Sequence, residues 1–342
     1  MSKKVSKNKK DQRTKKQKDI KTPPRLSKRR VIAAAKRVGL HYEELQDGTP
    51  ALRIPGGRIG FSVDEHQGFL HSTGYWDKDV EFNPDAPPIE LQINELNRGL
   101  VPGTVKAVPC GGSARHWHVE VAALVFPLDR ATNAQLDLMI ATQAKRMVEA
   151  FKRLDAELDG TPRPHAVAQP TGTGVRPVAR KRTSATYDIQ ETDWGRFVEF
   201  FLPFVLDVED FYADGYLPED VDRITLQGSC YDMEIEPAYD GTEDILFTAT
   251  VPAARCTCDF AQVLEWSRQT NECQDVITTC VVVDNDELFL HCSARMVTEW
   301  GHTMQQFLTA GPGLVPSLRS CATDFLEEFN PGQFESFQDV AA

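Results

Sequence analysis

The sequence predicts an α+β protein made of two tandem α-β-β-β-α-β-β-α domains, each an antiparallel sheet covered by helices. Apolar residues switch between helical and strand spacing in the same order twice along the chain. In addition, Thr132-x-x-Gln135-Leu136 opens a helix after a strand and returns as Thr303-x-x-Gln306-Phe307, 171 residues later. At 342 residues the chain is long enough for two such units, each burying its own core.

The first unit opens with a helix over 28–38, where Ser27 is a candidate N-cap, Gly39 a left-handed C-cap, and Val31, Ile32, Ala35 and Val38 share a face. Strands follow at 51–54, 59–63 and 69–71, separated by Pro55-Gly56-Gly57 and Asp64-Glu65-His66-Gln67-Gly68, whose residues favour turns. Ile89, Ile93 and Leu96 then mark a helix up to Gly99, and a hairpin of 104–108 with 116–125 surrounds Cys110-Gly111-Gly112-Ser113. The last helix starts at Thr132. Its capping box with Gln135 satisfies two otherwise orphaned backbone donors, and Leu136, Met139, Ile140, Met147, Ala150, Phe151 and Leu154 form its apolar face, with Asp137, Lys145, Arg146, Lys152 and Arg153 largely elsewhere.

In the second unit Thr192 is expected to cap a helix bearing Phe197, Phe200 and Phe201 up to Pro203. Strands follow at 224–227, 231–235 and 245–251. Asp259 caps the next helix, and a hairpin pairs 276–283 with 288–294. Gly311-Pro312-Gly313 and Pro316 should break the closing helix before Leu318, Ala322, Phe325 and Leu326 resume its apolar face, because proline removes an amide donor and crowds the preceding turn.

Charge divides the chain further. Residues 1–30 hold 14 Lys/Arg against 2 Asp, residues 161–186 hold 5 Lys/Arg and no acid, and residues 187–342 hold 6 basic against 30 acidic residues. The expected organisation is a disordered basic tail over 1–24, a first domain over 25–160, a flexible linker over 161–186, a second domain over 187–329 and a short tail over 330–342. No run approaches the roughly 18 apolar residues of a membrane span, and the basic N-terminus lacks the apolar core of a signal peptide. A cytoplasmic location is the expectation.

The element order, Ile93-Asn94-Glu95-Leu96-Asn97 ahead of a hairpin, and Thr132-Asn133-Ala134-Gln135-Leu136 together resemble the YbjN family of bacterial proteins. The resemblance spans about residues 25–155 and again 187–329, although the second copy carries no counterpart of Asn94-x-x-Asn97. It implies a fold similar to type III secretion chaperones and a role as a regulator or chaperone-like module, and it brings no catalytic residues.

The chemistry-bearing residues have plainer explanations. His116-x-His118 places two imidazoles on one strand face about 6–7 Å apart, as a metal pair would need, yet spacing supplies no third ligand. Cys256-x-Cys258 with Cys230, Cys273, Cys280, Cys292 and Cys321 puts seven of the eight cysteines in the second unit, without the paired C-x₂-C spacing of structural zinc sites. They read as reduced, mostly core residues. Glycine pairs at 56–57 and 111–112 lie in hairpin turns with no phosphate-binding helix behind them, and no Gly-x-Ser-x-Gly nominates a nucleophile. No catalytic, cofactor-binding or metal residue is therefore assigned, and no cofactor. The expected function is a non-enzymatic interaction module with polypeptide partners. Two alternatives stay open: a nucleic-acid- or ribosome-associated factor acting weakly and electrostatically through residues 1–30, and a metal or redox sensor built on the second-unit cysteines.

Overall fold

The computed structural model describes residues 20–44, 50–64, 68–99, 103–111, 115–125, 130–163, 175–178, 183–205, 221–227, 230–238, 242–253, 256 and 258–330. The described residues form an α+β structure with two antiparallel sheets and two hydrophobic cores.

The first half begins with α1 (Lys28–Arg37), whose Val31, Ala34 and Ala35 are buried. Ser27 holds its N-cap through the backbone carbonyl alone, and its hydroxyl makes no capping bond. Four meander strands follow where the sequence predicts three: β1 (His41–Glu44), β2 (Pro50–Ile54), β3 (Gly57–Asp64) and β4 (Phe69–Glu81). The extra strand, β1, lacks an apolar alternation and pairs as a sheet edge on β2. β4 continues well past His71, paired with β3, β6 and β7, and its buried Asp77 and Asp79 find cations in Arg53 and Arg163 respectively. Two buried acids erase the pattern that would announce the strand.

Next come α2 (Ile89–Arg98), β5 (Thr104–Pro109), β6 (His116–Val125), α3 (Asn133–Glu157) and the short β7 (Gly160–Pro162). The sheet order is β1-β2-β3-β4-β6-β5, with β7 added on β4 beyond the end of β3. The capping box at Thr132 forms as expected, with Gln135 bonded at 3.1 and 3.0 Å. α3 then crosses the sheet so closely that Phe151 fills the space above Gly57 and Gly74. A Cβ at Gly57 would lie 2.1 Å from the Tyr75 carbonyl oxygen and 2.7 Å from the Phe151 ring, so no other residue fits.

The second half comprises α4 (Trp194–Val205), β8 (Ile224–Gln227), β9 (Asp232–Pro237), β10 (Ile245–Pro252), α5 (Phe260–Cys273), β11 (Thr278–Asp284), β12 (Glu287–Met296), α6 (Met304–Ala310) and α7 (Leu314–Phe329). Its sheet order is β11-β12-β10-β9-β8. Phe197 stacks on Phe201 at 4.6 Å and meets Phe247 edge-on at 5.7 Å, forming the centre of this core. Asp193 caps α4 through Arg196 N at 2.8 Å, while Thr192, the expected cap, turns its hydroxyl to His302. The closing helix breaks at Gly311-Pro312-Gly313 as predicted, and Pro316 sits in the first turn of α7, where its missing amide is no loss.

Parts of the segments expected to be free are docked. Pro24 accepts from Ala131 N at 3.1 Å and Lys21 N donates to Thr186 O at 2.9 Å, so the end of the basic tail is fixed; residues 1–19 lie outside the described residues, as do 331–342. Within the expected linker, Thr161 and Pro162 extend the sheet, Arg163 binds Asp79, Arg176 N donates to Val38 O at 2.8 Å, and Val175 and Val178 pack on the first core. The described linker residues find apolar and backbone partners that composition does not reveal.

The halves meet about a pseudo-two-fold axis. Gln135 Nε2 donates to Gly301 O at 3.0 Å and to Gln306 Oε1 at 3.1 Å, and Gln306 Nε2 donates to Arg130 O at 2.7 Å. Arg130 and Gly301 are separated by the same offset as the two glutamines, so the contacts are reciprocal in the manner of a two-fold dimer. Thr104 and Thr278, 174 residues apart, also touch hydroxyl to hydroxyl at 2.8 Å. Ion pairs Arg146–Asp244 at 2.6 Å and Lys106–Asp275 at 2.8 Å cross the joint, Thr142 bonds Glu299, and Trp300 joins the first core. The polar side of α3 therefore faces the other half.

Candidate functional site

One edge of each sheet, β5 and β11, is bonded by asparagine side chains. Asn97 Nδ2 donates to Val105 O at 3.1 Å and its Oδ1 accepts from Val105 N at 2.8 Å. Asn271 does the same to Thr279, at 2.8 Å each way. Both pairs are 8 residues apart, so Asn271 is the counterpart of Asn97 at the 174-residue offset defined by Thr104 and Thr278; the second copy thus keeps one asparagine of the Asn94-x-x-Asn97 pair, with Arg268 in place of the other.

Asn94 breaks the symmetry. It reaches across the joint to the β11 edge, donating to Val281 O at 2.9 Å and accepting from Val281 N at 2.7 Å. The residue equivalent to Val281 is Ala107 on β5, and the residue equivalent to Asn94 is Arg268. Val105 turns both backbone groups away from β6 toward Asn97, so by strand alternation Ala107 presents its own N–H and C=O along the same edge. Arg268 does not clasp them. Its guanidinium is held by Glu265 at 2.7 Å and by Glu272. The hydrogen bonds from Arg268 and from Gln269 hold the Glu265 carboxylate down at about 2, against the opposing effect of burial. A cleft of about 100 Å³ remains between α2, β5 and α5, lined by Ile93, Trp117, Ala107, Leu264, Glu90 and Glu272 among others.

A second group of reactive side chains lies at the far end of β4. The register sets Asp79 opposite His118 and Glu81 opposite His116, which brings one carboxylate under both imidazoles. His118 Nδ1 is 2.5 Å from Asp79 Oδ1, His116 Nε2 is 3.2 Å from Oδ2, and Arg163 Nε donates to Oδ1 at 2.7 Å. Burial raises the Asp79 carboxyl, but the hydrogen bonds from His118, His116 and Arg163 outweigh it and hold the group below its ordinary value. Cys110, in the β5–β6 turn, completes the group. Its thiol is pushed up by burial and by Asp79. Sequence spacing finds His116 and His118 but misses Asp79 and Cys110, which only strand register and turn geometry bring near.

The cysteines of the second half are unpaired. Cys280, Cys292 and Cys321 are buried, with Cys292 and Cys321 sulfurs 3.6 Å apart, and burial pushes Cys280 up to about 12. Burial and the neighbouring Cys258 raise Cys256 to about 11, so neither member of the Cys256-x-Cys258 pair sits where a thiolate is favoured.

No family model matches the chain, and no curated protein matches it. Among solved structures, the crystal structure of YbjN from E. coli aligns with 40% of this chain and 97% of its own at 11% identity, with a TM-score of 0.31. Among the described residues, no helix is long and apolar enough to cross a membrane.

Proposed function

We propose that this protein is a non-enzymatic interaction module that binds an extended polypeptide segment in the cleft along β5. The observation that carries this reading is the Ala107 edge. On the symmetric edge, an amide from Asn94 satisfies both backbone groups of Val281, and at Ala107 the same donor–acceptor pair faces the cleft with Arg268 tied to two carboxylates instead. A peptide group offers the chemistry of that asparagine amide, which is how strand addition gains affinity. Lys106 and Arg268 line the cleft together with Glu90 and Glu272, so its charges offset and the backbone edge carries the recognition. The element order and the reciprocal Gln135–Gln306 joint support reading the halves as two copies of a YbjN-like, chaperone-like unit, closed on each other in one chain.

The test uses peptides selected from a displayed random library against the intact chain. Their affinity should fall about tenfold in Ala107→Pro, equivalent to about 1.4 kcal/mol for the lost donor. That substitution spares the ladder because the Ala107 amide points away from β6. Failure to select any peptide, or equal binding by the variant, would reject the reading.

A further inference from the structure

We propose that Asp79, Cys110 and His116 form a binding site for one divalent transition-metal ion of the zinc class. Their ligand atoms all lie within 4.8 Å of one another, close enough to converge on one ion. Three elements supply them: β4 gives the carboxylate, the β5–β6 turn the thiol and β6 the imidazole. The carboxylate is also oriented. Oδ1 is engaged by His118 at 2.5 Å and Arg163 at 2.7 Å, which leaves Oδ2 turned to His116 at 3.2 Å. Such outer partners fix a ligand's direction and tune its affinity.

The donor set selects the ion. A thiolate and an imidazole favour zinc, cobalt or nickel over calcium or magnesium, which prefer all-oxygen shells. One carboxylate and one thiolate offset the charge of a divalent ion, with the Arg163 cation left beside the carboxylate, and three protein ligands leave a fourth position for water. Both His116 and His118 are partly exposed, with side chains 38% and 40% accessible, so an ion has a path in. Among the described residues, the second half has no such group. There the hairpin closes through Asn285 and Asp286, with φ of 48° and 64°, and Glu287 and Phe289 stand where His116 and His118 stand in the first half. The longer turn that carries Cys110 belongs to one copy only.

Cobalt titration of the chelator-treated full chain tests the site. One equivalent should bind and give the thiolate-to-cobalt charge-transfer absorption, and zinc should displace it. Cys110→Ser should abolish that absorption, whereas Cys273→Ser, altering an exposed cysteine remote from the group, should leave it intact. His116→Gln should weaken uptake at least tenfold with an unchanged melting temperature, and His118→Ala should weaken it about tenfold through loss of carboxylate orientation. The proposal is overturned if no cobalt binds, if the absorption survives Cys110→Ser, or if well-folded His116→Gln binds as the parent does.

Discussion

Gln135 and Gln306 donate and accept across the centre of the molecule, 3.1 Å apart, while each also closes the capping box of its own helix. One side chain thus serves a local helix start and a long-range joint. Both are buried, at 1% and 3% exposure, so any polar group they release stays dry. Replacing either by alanine strands its cap amide and a carbonyl of the opposite half, and should destabilise the chain by about 2 kcal/mol or more in urea unfolding. The two substitutions should be non-additive, with a coupling of about 0.5 kcal/mol or larger in a double-mutant cycle.

Separated halves should not behave as the intact protein does. Sequence composition treats 25–160 and 187–342 as separable, but cutting between them bares the polar side of α3 and removes Trp300 from the first core. We expect each half alone to melt below the intact chain or to self-associate through the bared face, as seen by calorimetry and sedimentation. Two monomeric halves with the melting temperature of the parent would refute this.

Asp244 is a single fully buried carboxylate between two guanidiniums, Arg146 at 2.6 Å and Arg295 at 3.4 Å. Asp244→Asn leaves both cations facing a neutral amide inside the joint. The expected loss is about 3 kcal/mol in chemical denaturation, because an uncompensated buried charge costs far more than the pair contributes. Combining it with Arg146→Met should recover part of that loss.

Acid should weaken the fold in two stages. Burial pushes His302 from its ordinary 6.5 down to about 3, so the folded state keeps it neutral while the unfolded chain takes up a proton. Stability should therefore fall as pH drops from about 6.5 toward 3. Hydrogen bonding from His71 and Lys106 holds Asp275 down at about 2 despite burial, from an ordinary 3.8, and its contribution should be lost between those values. Stability measured against pH in His302→Asn should be flatter in the upper window and unchanged in the lower one. A parallel curve would assign the upper stage elsewhere.

Local signals were readable, and non-local ones were not. Thr132, Asp259 and Thr303 each announce a helix within three residues, and all three capping boxes form. Gly311-Pro312-Gly313 marks the helix break just as directly. β4 beyond His71 was hidden because Asp77 and Asp79 sit inward, which is sensible only once Arg53 and Arg163 are in place. The match of Asn271 to Asn97 was hidden because the hairpins differ in length, so the offset is 171 residues on one side of the turn and 174 on the other. Asp79 and His116 are 37 residues apart and meet only through the register of β4 with β6. The glutamines read as helix caps from sequence; their second role depends on a partner 171 residues away.

The exchange of Asn94 for Arg268 at equivalent places has a consequence for stoichiometry. Two identical chains around a true axis would carry every groove in duplicate, and any change to one would appear in both. Here one strand edge is sealed from within by Asn94 while its mate opens to a cleft, so the molecule has a front and a back. A ligand that recognises the Ala107 edge meets one copy of it per chain and in one orientation. Joining the halves in a single polypeptide thus gives a polarity that a symmetric pair cannot have.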